Sequence, residues 1–289
     1  MLHKCRIFYE SENKTLDFHR CCPGGFSKYI LSKNPRAQGI GISLDPEYGG
    51  HGLAVPYPHR KQYKMYWRDL TYLDVCSPSN RPAPAGAVTL SPMPFTTRGF
   101  QLIILDGVYR VQESNSAQEW DVDRLLIAQL IIALEYINRG GTLIVKFNHL
   151  ESVITAQLVY MLDKYSKSLV VFKPGTSAKR GSFYAVVTGV GLGWEWKRRE
   201  SFLENLREVW WKLTYGDDPR SGGRYLKEED LNFIVNFETL KRSYLARLIQ
   251  LGRVAWRIQS QALRKTYDLI RSREVVTLHS DSENDAPVN

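Results

Sequence analysis

Cysteine is scarce: four in 289 residues, at positions 5, 21, 22 and 76, with no Cys-x-x-Cys spacing. That excludes a disulfide framework and the common cysteine-based zinc sites, and it fits a reducing compartment. No apolar run approaches the length of a membrane span, and no signal peptide opens the sequence. A soluble intracellular protein is expected, with cytoplasm and nucleus equally open and no metal. Two phosphate-binding loops are also missing. "GIGISL" at 39–44 lacks the third glycine of the Gly-x-Gly-x-x-Gly pattern, and no Gly-Lys-Ser/Thr occurs. There is no internal repeat.

What is present supports a packed protein. Hydrophobic residues make up 43% and aromatics 12%, enough for a sizeable core. The net charge is +9, spread unevenly. Residues 1–193 carry 22 Lys/Arg against 15 Asp/Glu, and residues 194–273 carry 17 against 11. The tail 274–289 has four acids and no base. A diffuse basic balance favours polyanionic partners such as nucleic acid, although proteins that bind none share it.

Apolar runs bounded by turn signals place the elements. "QGIGISL" (38–44), "FQLIILDG" (100–107), "GTLIVKF" (141–147), 168–173 and "SFYAVVTGV" (182–190) read as buried strands. "DVDRLLIAQLIIALEYINRGG" has the period of a helix, with Asp121 as N-cap and Gly140 as C′ residue. A second helix is expected over about 151–165. Strands alternating with helices indicate an α/β layered domain, with the last strand in an antiparallel pair at the edge. The expected organisation is a domain over 1–193, a helical extension over 194–273 and a disordered tail over 274–289. The extension reads as helices packed on the core with a charged face, or as a basic arm that contacts RNA. Its Trp194, Trp196, Trp210 and Trp211 read as core at helical spacing, with base stacking the alternative.

Three polar features fall at or just past these strands: the Pro23-Gly24-Gly25-Phe26 turn, Asp106-Gly107 and Lys146. Glycines let a backbone approach a ligand, and a turn that opens a helix offers free N–H groups. In a doubly wound sheet, ligands bind outside the carboxyl ends of the strands, so Asp106 and Lys146 converge on the crevice that holds the turn. A lysine after three apolar residues is costly to bury unless paired or functional. A structural ion pair and a functional pair both remain open. A nucleotide-like ligand without a pyrophosphate fits best. His149 reads as a capping or surface residue, with substrate contact the alternative, and Cys21 and Cys22 as small buried turn residues, with redox activity the alternative.

"LDFHRCCPGGFSKYI" resembles the first motif of the FtsJ-like (RrmJ-type) methyltransferases, of the form L-D-L-G-x-x-P-G-G-F/W-S. "FQLIILDG", "GGTLIVKF" and "KPGTSAKRGSFYAVVTG" follow in that family's order, so the similarity covers roughly residues 14–191. The resemblance implies a Rossmann-like S-adenosylmethionine-dependent methyltransferase sandwich, mostly parallel with an antiparallel last strand. It implies S-adenosylmethionine as cofactor and RNA ribose 2′-hydroxyls as substrate. Carried over, Pro23, Gly24, Gly25 and Phe26 line the cofactor's methionine part, and Asp69 in "WRDLT" lies near its adenine. Ser43, or Asp45 in its place, stands where the family has an acid at the ribose.

The family's chemistry uses a Lys-Asp-Lys-Glu tetrad. Its second lysine is Lys146, implied to take or orient the 2′-hydroxyl proton, and Asp106 holds that lysine near the methyl-bearing sulfonium. Ser182 stands at the glutamate position and supplies no charge. The first lysine has only Lys4 and Lys14 as candidates. An RNA 2′-O-methyltransferase is therefore expected first, with catalytic residues Asp106, Lys146 and Ser182. A degenerate module that binds cofactor or RNA without methyl transfer is the alternative. Methylation of a small molecule or protein is a third reading.

Overall fold

The computed structural model describes residues 6–10, 25–48, 50, 52–96, 99–107, 121–218 and 222–282. In chain order the elements are β1 (Arg6–Glu10), α1 (Gly25–Lys33), β2 (Gln38–Ser43), α2 (Tyr57–Arg60) and β3 (Tyr63–Trp67). There follow β4 (Phe100–Leu105), α3 (Asp121–Tyr136), β5 (Ile137–Asn148), α4 (Val153–Tyr165), β6 (Ser168–Phe172) and β7 (Ser182–Thr188). Two long helices close the chain, α5 (Arg199–Tyr215) and α6 (Phe237–Ser282). Short 3₁₀ turns fill several connections.

One seven-stranded sheet has the order β3-β2-β1-β4-β5-β7-β6. The β2–β3 and β4–β5 pairs are parallel, while β7 runs antiparallel to both β5 and β6. The expected antiparallel pair at the edge is thus present. The sheet differs from expectation at its centre. There β1 runs antiparallel to both β2 and β4, so two strands oppose the other five. Parallel strands need a long crossover, whereas a reversed strand can lie between neighbours of the opposite direction with its ladder complete.

The two faces of the sheet carry separate clusters because side chains alternate along each strand. Ile103, Leu105, Leu143, Val145, Phe183 and Val187 pack with α3, α4, α5 and the start of α6 in one continuous core. Ile104, Ile144, Tyr184 and Val186 point the other way, onto Ile30 and Leu31 of α1. Helix α3 is apolar nearly all round because it lies between the sheet and α5, and Leu130, Ile131, Ile132, Ala133 and Leu134 have no exposed surface. It ends at Tyr136 and β5 begins at the next residue, so Gly140 is a strand residue (φ 86°) and not a helix cap. Asp121 is likewise the first helical residue and not the residue before it.

Helix α5 belongs to this core. Trp210 is wholly buried and its indole N–H donates to the Thr71 carbonyl (3.0 Å), and Trp211 is 2% exposed. Arg199 and Arg207 both reach the Glu135 carboxylate of α3. Helix α6 is anchored by Tyr244, whose hydroxyl donates to Asp163 (2.8 Å), and by Arg247, which pairs with the same carboxylate. Trp194, by contrast, is exposed. Helix α6 continues through Ser282, beyond residue 273. Among the described residues no helix is long and apolar enough to cross a membrane, and no cluster of His, Cys, Asp and Glu could hold a metal.

Candidate active site

The parallel direction of β2, β3, β4 and β5 brings their carboxyl ends to one edge. Asp106 follows β4 there, and Lys146 lies near the end of β5. Their side chains meet: Lys146 Nζ is 3.3 Å from Asp106 Oδ1, and the two side chains are 14% and 8% exposed. Pairing a buried lysine with a buried carboxylate offsets part of the desolvation cost that each would bear alone. The Tyr184 hydroxyl donates to the same Oδ1 at 2.8 Å. Lys146 and Tyr184 are register partners across β5 and β7, so the sheet itself fixes the three groups together.

The first turn of α1 closes this cluster from above the sheet. The Phe26 ring meets Tyr184 edge-on, with centroids 5.9 Å apart. Ser27, one residue on, is fully buried, and its hydroxyl has no hydrogen-bond partner among the described residues. A buried hydroxyl at a helix start with no partner among the described residues is a group that a polar ligand can satisfy. The residues present fit a small cofactor with polar atoms at this turn. Gly25 opens α1, while Pro23, Gly24, Cys21, Cys22, Lys4 and Lys14 lie outside the described residues.

The other sequence candidates are distributed around the same edge. Ser182 begins β7 on the face that carries Tyr184 two residues later, and pairs with Asn148. It is buried, and its carbonyl accepts from Lys173 Nζ at 2.8 Å. Lys173 also donates to the Arg180 carbonyl. Burial pushes the Lys173 ammonium below the ordinary lysine range, with nearby Glu151 opposing. Asp69 follows β3 and caps a 3₁₀ turn, accepting from the Thr71 N–H (2.9 Å) and hydroxyl (2.7 Å). Ser43 ends β2 fully buried, and Asp45 accepts from the Glu47 N–H.

His149 follows β5 in the left-handed region (φ 52°), and its exposed ring lies 2.9 Å from the Glu151 carboxylate. Gly181 makes room for that ring, because an added Cβ would fall 2.6 Å from it. Sequence reading had no place for Tyr184, Ser27 or Lys173 in the site. For Tyr184 a signal existed: strand alternation puts it on the face of Ser182. Nothing in the pattern marks Ser27 as unpartnered or Lys173 as buried.

A Rossmann-like α/β layer thus carries a buried acid and lysine at its carboxyl edge, on the sheet face covered by α1. The family follows from comparison. A model of the "FtsJ-like methyltransferase" family matches residues 1–189, and the chain belongs to that family. It is 26% identical over 239 residues to the "Cap-specific mRNA (nucleoside-2'-O-)-methyltransferase 1" of Bos taurus, covering 80% of this chain and 27% of that protein. The Homo sapiens protein of the same description is 26% identical over 237 residues, with the same coverage. That of Dictyostelium discoideum is 27% identical over 174 residues, covering 54% of this chain and 22% of its own. The chain thus spans about a quarter of the length of these curated relatives. A solved chain described as "Alphavirus P23pro-zbd" overlaps at a TM-score of 0.31 and 15% identity, over 59% of this chain and 23% of that one, too little to bear on the fold.

Proposed function

We propose that the protein transfers a methyl group from S-adenosylmethionine to the ribose 2′-hydroxyl of RNA. The observation that carries this reading is the buried Asp106–Lys146 pair under α1, in a family of methyltransferases. The turn at Pro23, Gly24, Gly25 and Phe26 would hold the methionine part of the cofactor, with Asp69 toward the adenine. The cofactor, when bound, supplies an electrophilic methyl group on a sulfonium.

The chain's own residues do the rest. With the cofactor bound, Lys146 would orient the 2′-hydroxyl and, as the neutral amine, take up its proton on Nζ, the methyl leaving the sulfonium sulfur as the oxygen gains it. Asp106 holds the lysine, and its negative charge suits the cationic ligand. Tyr184 donates to the same carboxylate oxygen and so helps to fix its position. In-line displacement depends on alignment, and a pre-set triad on adjacent strands supplies it. The relatives' descriptions make capped mRNA the first RNA to offer.

A second reading rests on Ser182. No carboxylate stands at that position, which favours a module that binds cofactor or RNA without transfer. Calorimetric titration with S-adenosylmethionine and S-adenosylhomocysteine, followed by a methyl-transfer assay on capped and uncapped RNA, separates the two. Micromolar binding with labelled product supports the enzyme. Binding without product supports the module, and no binding by folded protein sinks both cofactor readings.

A further inference from the structure

Helix α6 leaves the body of the protein partway along its length. Leu240, Tyr244, Leu248, Leu251 and Ala255 are buried, whereas no residue from Arg257 to Arg271 is. The departure point lies at the loop that follows β5, the strand that carries Lys146. Trp256 lies against the Glu151 carboxyl in that loop and helps hold it below the usual carboxylate range. At 1.5 Å per residue the helix carries about 38 Å of chain past Trp256, as far as Ser282.

The exposed side of this helix has a regular charge pattern. Between Lys241 and Arg273 the sequence has nine Lys/Arg and a single acid, Asp268. Arg242, Arg253, Arg257, Arg264 and Arg271 are all exposed. At 100° per residue they fall within an arc of about 60°, centred opposite the face that packs on the body. They span about 44 Å along the axis. Arg247 lies off this line and is occupied by Asp163. This stripe lies beyond the residues matched by the family model.

Rows of guanidinium groups with a single carboxylate among them complement a polyanion. Each arginine can make a paired contact to phosphate, and neutralised phosphates release counterions. We infer that the arginine face of α6 is a track for the phosphate backbone of RNA, which holds the strand as it leaves the cleft at Asp106 and Lys146. This inference rests on the RNA reading of that cleft.

The test uses the full chain and a fluorescein-labelled single-stranded RNA of 30 nucleotides, followed by anisotropy across a salt series. In the variant carrying Arg253→Gln, Arg257→Gln, Arg264→Gln and Arg271→Gln, affinity should fall at least about tenfold near physiological salt, and the salt slope should shrink by about 2 to 3. A control carrying Lys33→Gln, Arg36→Gln, Lys61→Gln and Lys197→Gln removes equal charge elsewhere and should lose under threefold. Arg→Lys at the four stripe positions should keep most of the affinity. Two double variants, Arg253/Arg257 and Arg264/Arg271, give the same readout if the quadruple variant misfolds.

Equal loss in the control, unchanged affinity in the stripe variant, or no RNA binding by the parent chain would each overturn the track. So would a change of oligomeric state on sedimentation without a change in RNA affinity, which would assign the face to a second copy. Failure of the cleft reading is seen separately. S-adenosylhomocysteine binding does not pass through α6, so its absence beside intact stripe-dependent RNA binding would reject the enzyme and keep the track.

Discussion

Lys146 lies directly opposite Tyr184 across the antiparallel β5–β7 ladder, and both side chains reach the same oxygen of Asp106. Because the partners sit on neighbouring strands of one sheet, their positions depend on backbone register and not on a flexible loop. A one-residue slip of β7 would turn Tyr184 to the other face and leave Asp106 with Lys146 alone.

Lys146→Ala should cut methyl transfer by about 10² to 10⁴, the range for loss of a positioned proton acceptor. Affinity for S-adenosylhomocysteine should stay within about twofold, since the lysine faces the substrate hydroxyl. Labelled-methyl incorporation and calorimetry together check this. Full activity in the variant would remove Lys146 from the reaction.

Tyr184→Phe keeps the ring against Phe26 and deletes only the hydroxyl. The lost hydrogen bond to a carboxylate should cost about 1.5–3 kcal/mol of stability. If the hydroxyl also aligns Asp106, kcat should drop about tenfold, equivalent to about 1.4 kcal/mol, with KM little changed. A stability loss with unchanged kcat per folded molecule would make Tyr184 a purely structural residue.

Much of this was legible in advance, for identifiable reasons. The strand ends at Asp106 and Lys146 follow from apolar runs that stop at a charge, and edge placement follows from the α/β alternation. Strand β1 was not among the runs read as strands, and its direction comes from pairing with β2 and β4, which its five residues do not fix. Helix α3 and strand β5 abut without a turn, so Gly140 resembled a helix end although its positive φ serves a strand irregularity. The hydroxyl of Ser27 and the amine of Lys173 acquire meaning only from what surrounds them in three dimensions.

Ser182→Glu tests whether the position lacks a charge that the chemistry can use. Ser182 starts β7 beside Asn148, on the face of Tyr184 and Lys146. A carboxylate there would lie on the strand edge that holds the lysine. If the site works as a reduced tetrad, transfer should rise by about tenfold, a gain of about 1.4 kcal/mol in the transition state. Unchanged or lower rates in a variant of equal melting temperature would show that Ser182 does not occupy an equivalent of the glutamate.

Trp210→Ala measures how far the helices beyond residue 193 are part of the α/β core. The side chain is fully buried and donates to Thr71, in the turn that Asp69 caps. Its loss should cost about 3–5 kcal/mol by cavity formation, with a further penalty for the unpaired carbonyl. Trp210→Phe should cost clearly less. Urea titrations followed by fluorescence and far-ultraviolet circular dichroism should show one transition in each variant. Two separated transitions would make the helices an independent unit.

Alkaline stability tests the anchoring of α6. Burial pushes the Tyr244 hydroxyl well above the ordinary tyrosine range, and the Asp163 carboxylate adds to that shift. Burial does the same to Tyr165 on α4. A raised value in the folded state means that the stabilisation is complete below about pH 10, where the unfolded tyrosines begin to ionise, and is lost as pH rises further. The melting temperature should therefore fall steeply above pH 10. Tyr244→Phe should be less stable at pH 8 by about 1.5–3 kcal/mol, through loss of the bond to Asp163. The same variant should lose less stability than the parent between pH 10 and 11.5, since one buried phenol no longer titrates. Parallel pH profiles for parent and variant would show that α6 is not held by a protonated Tyr244.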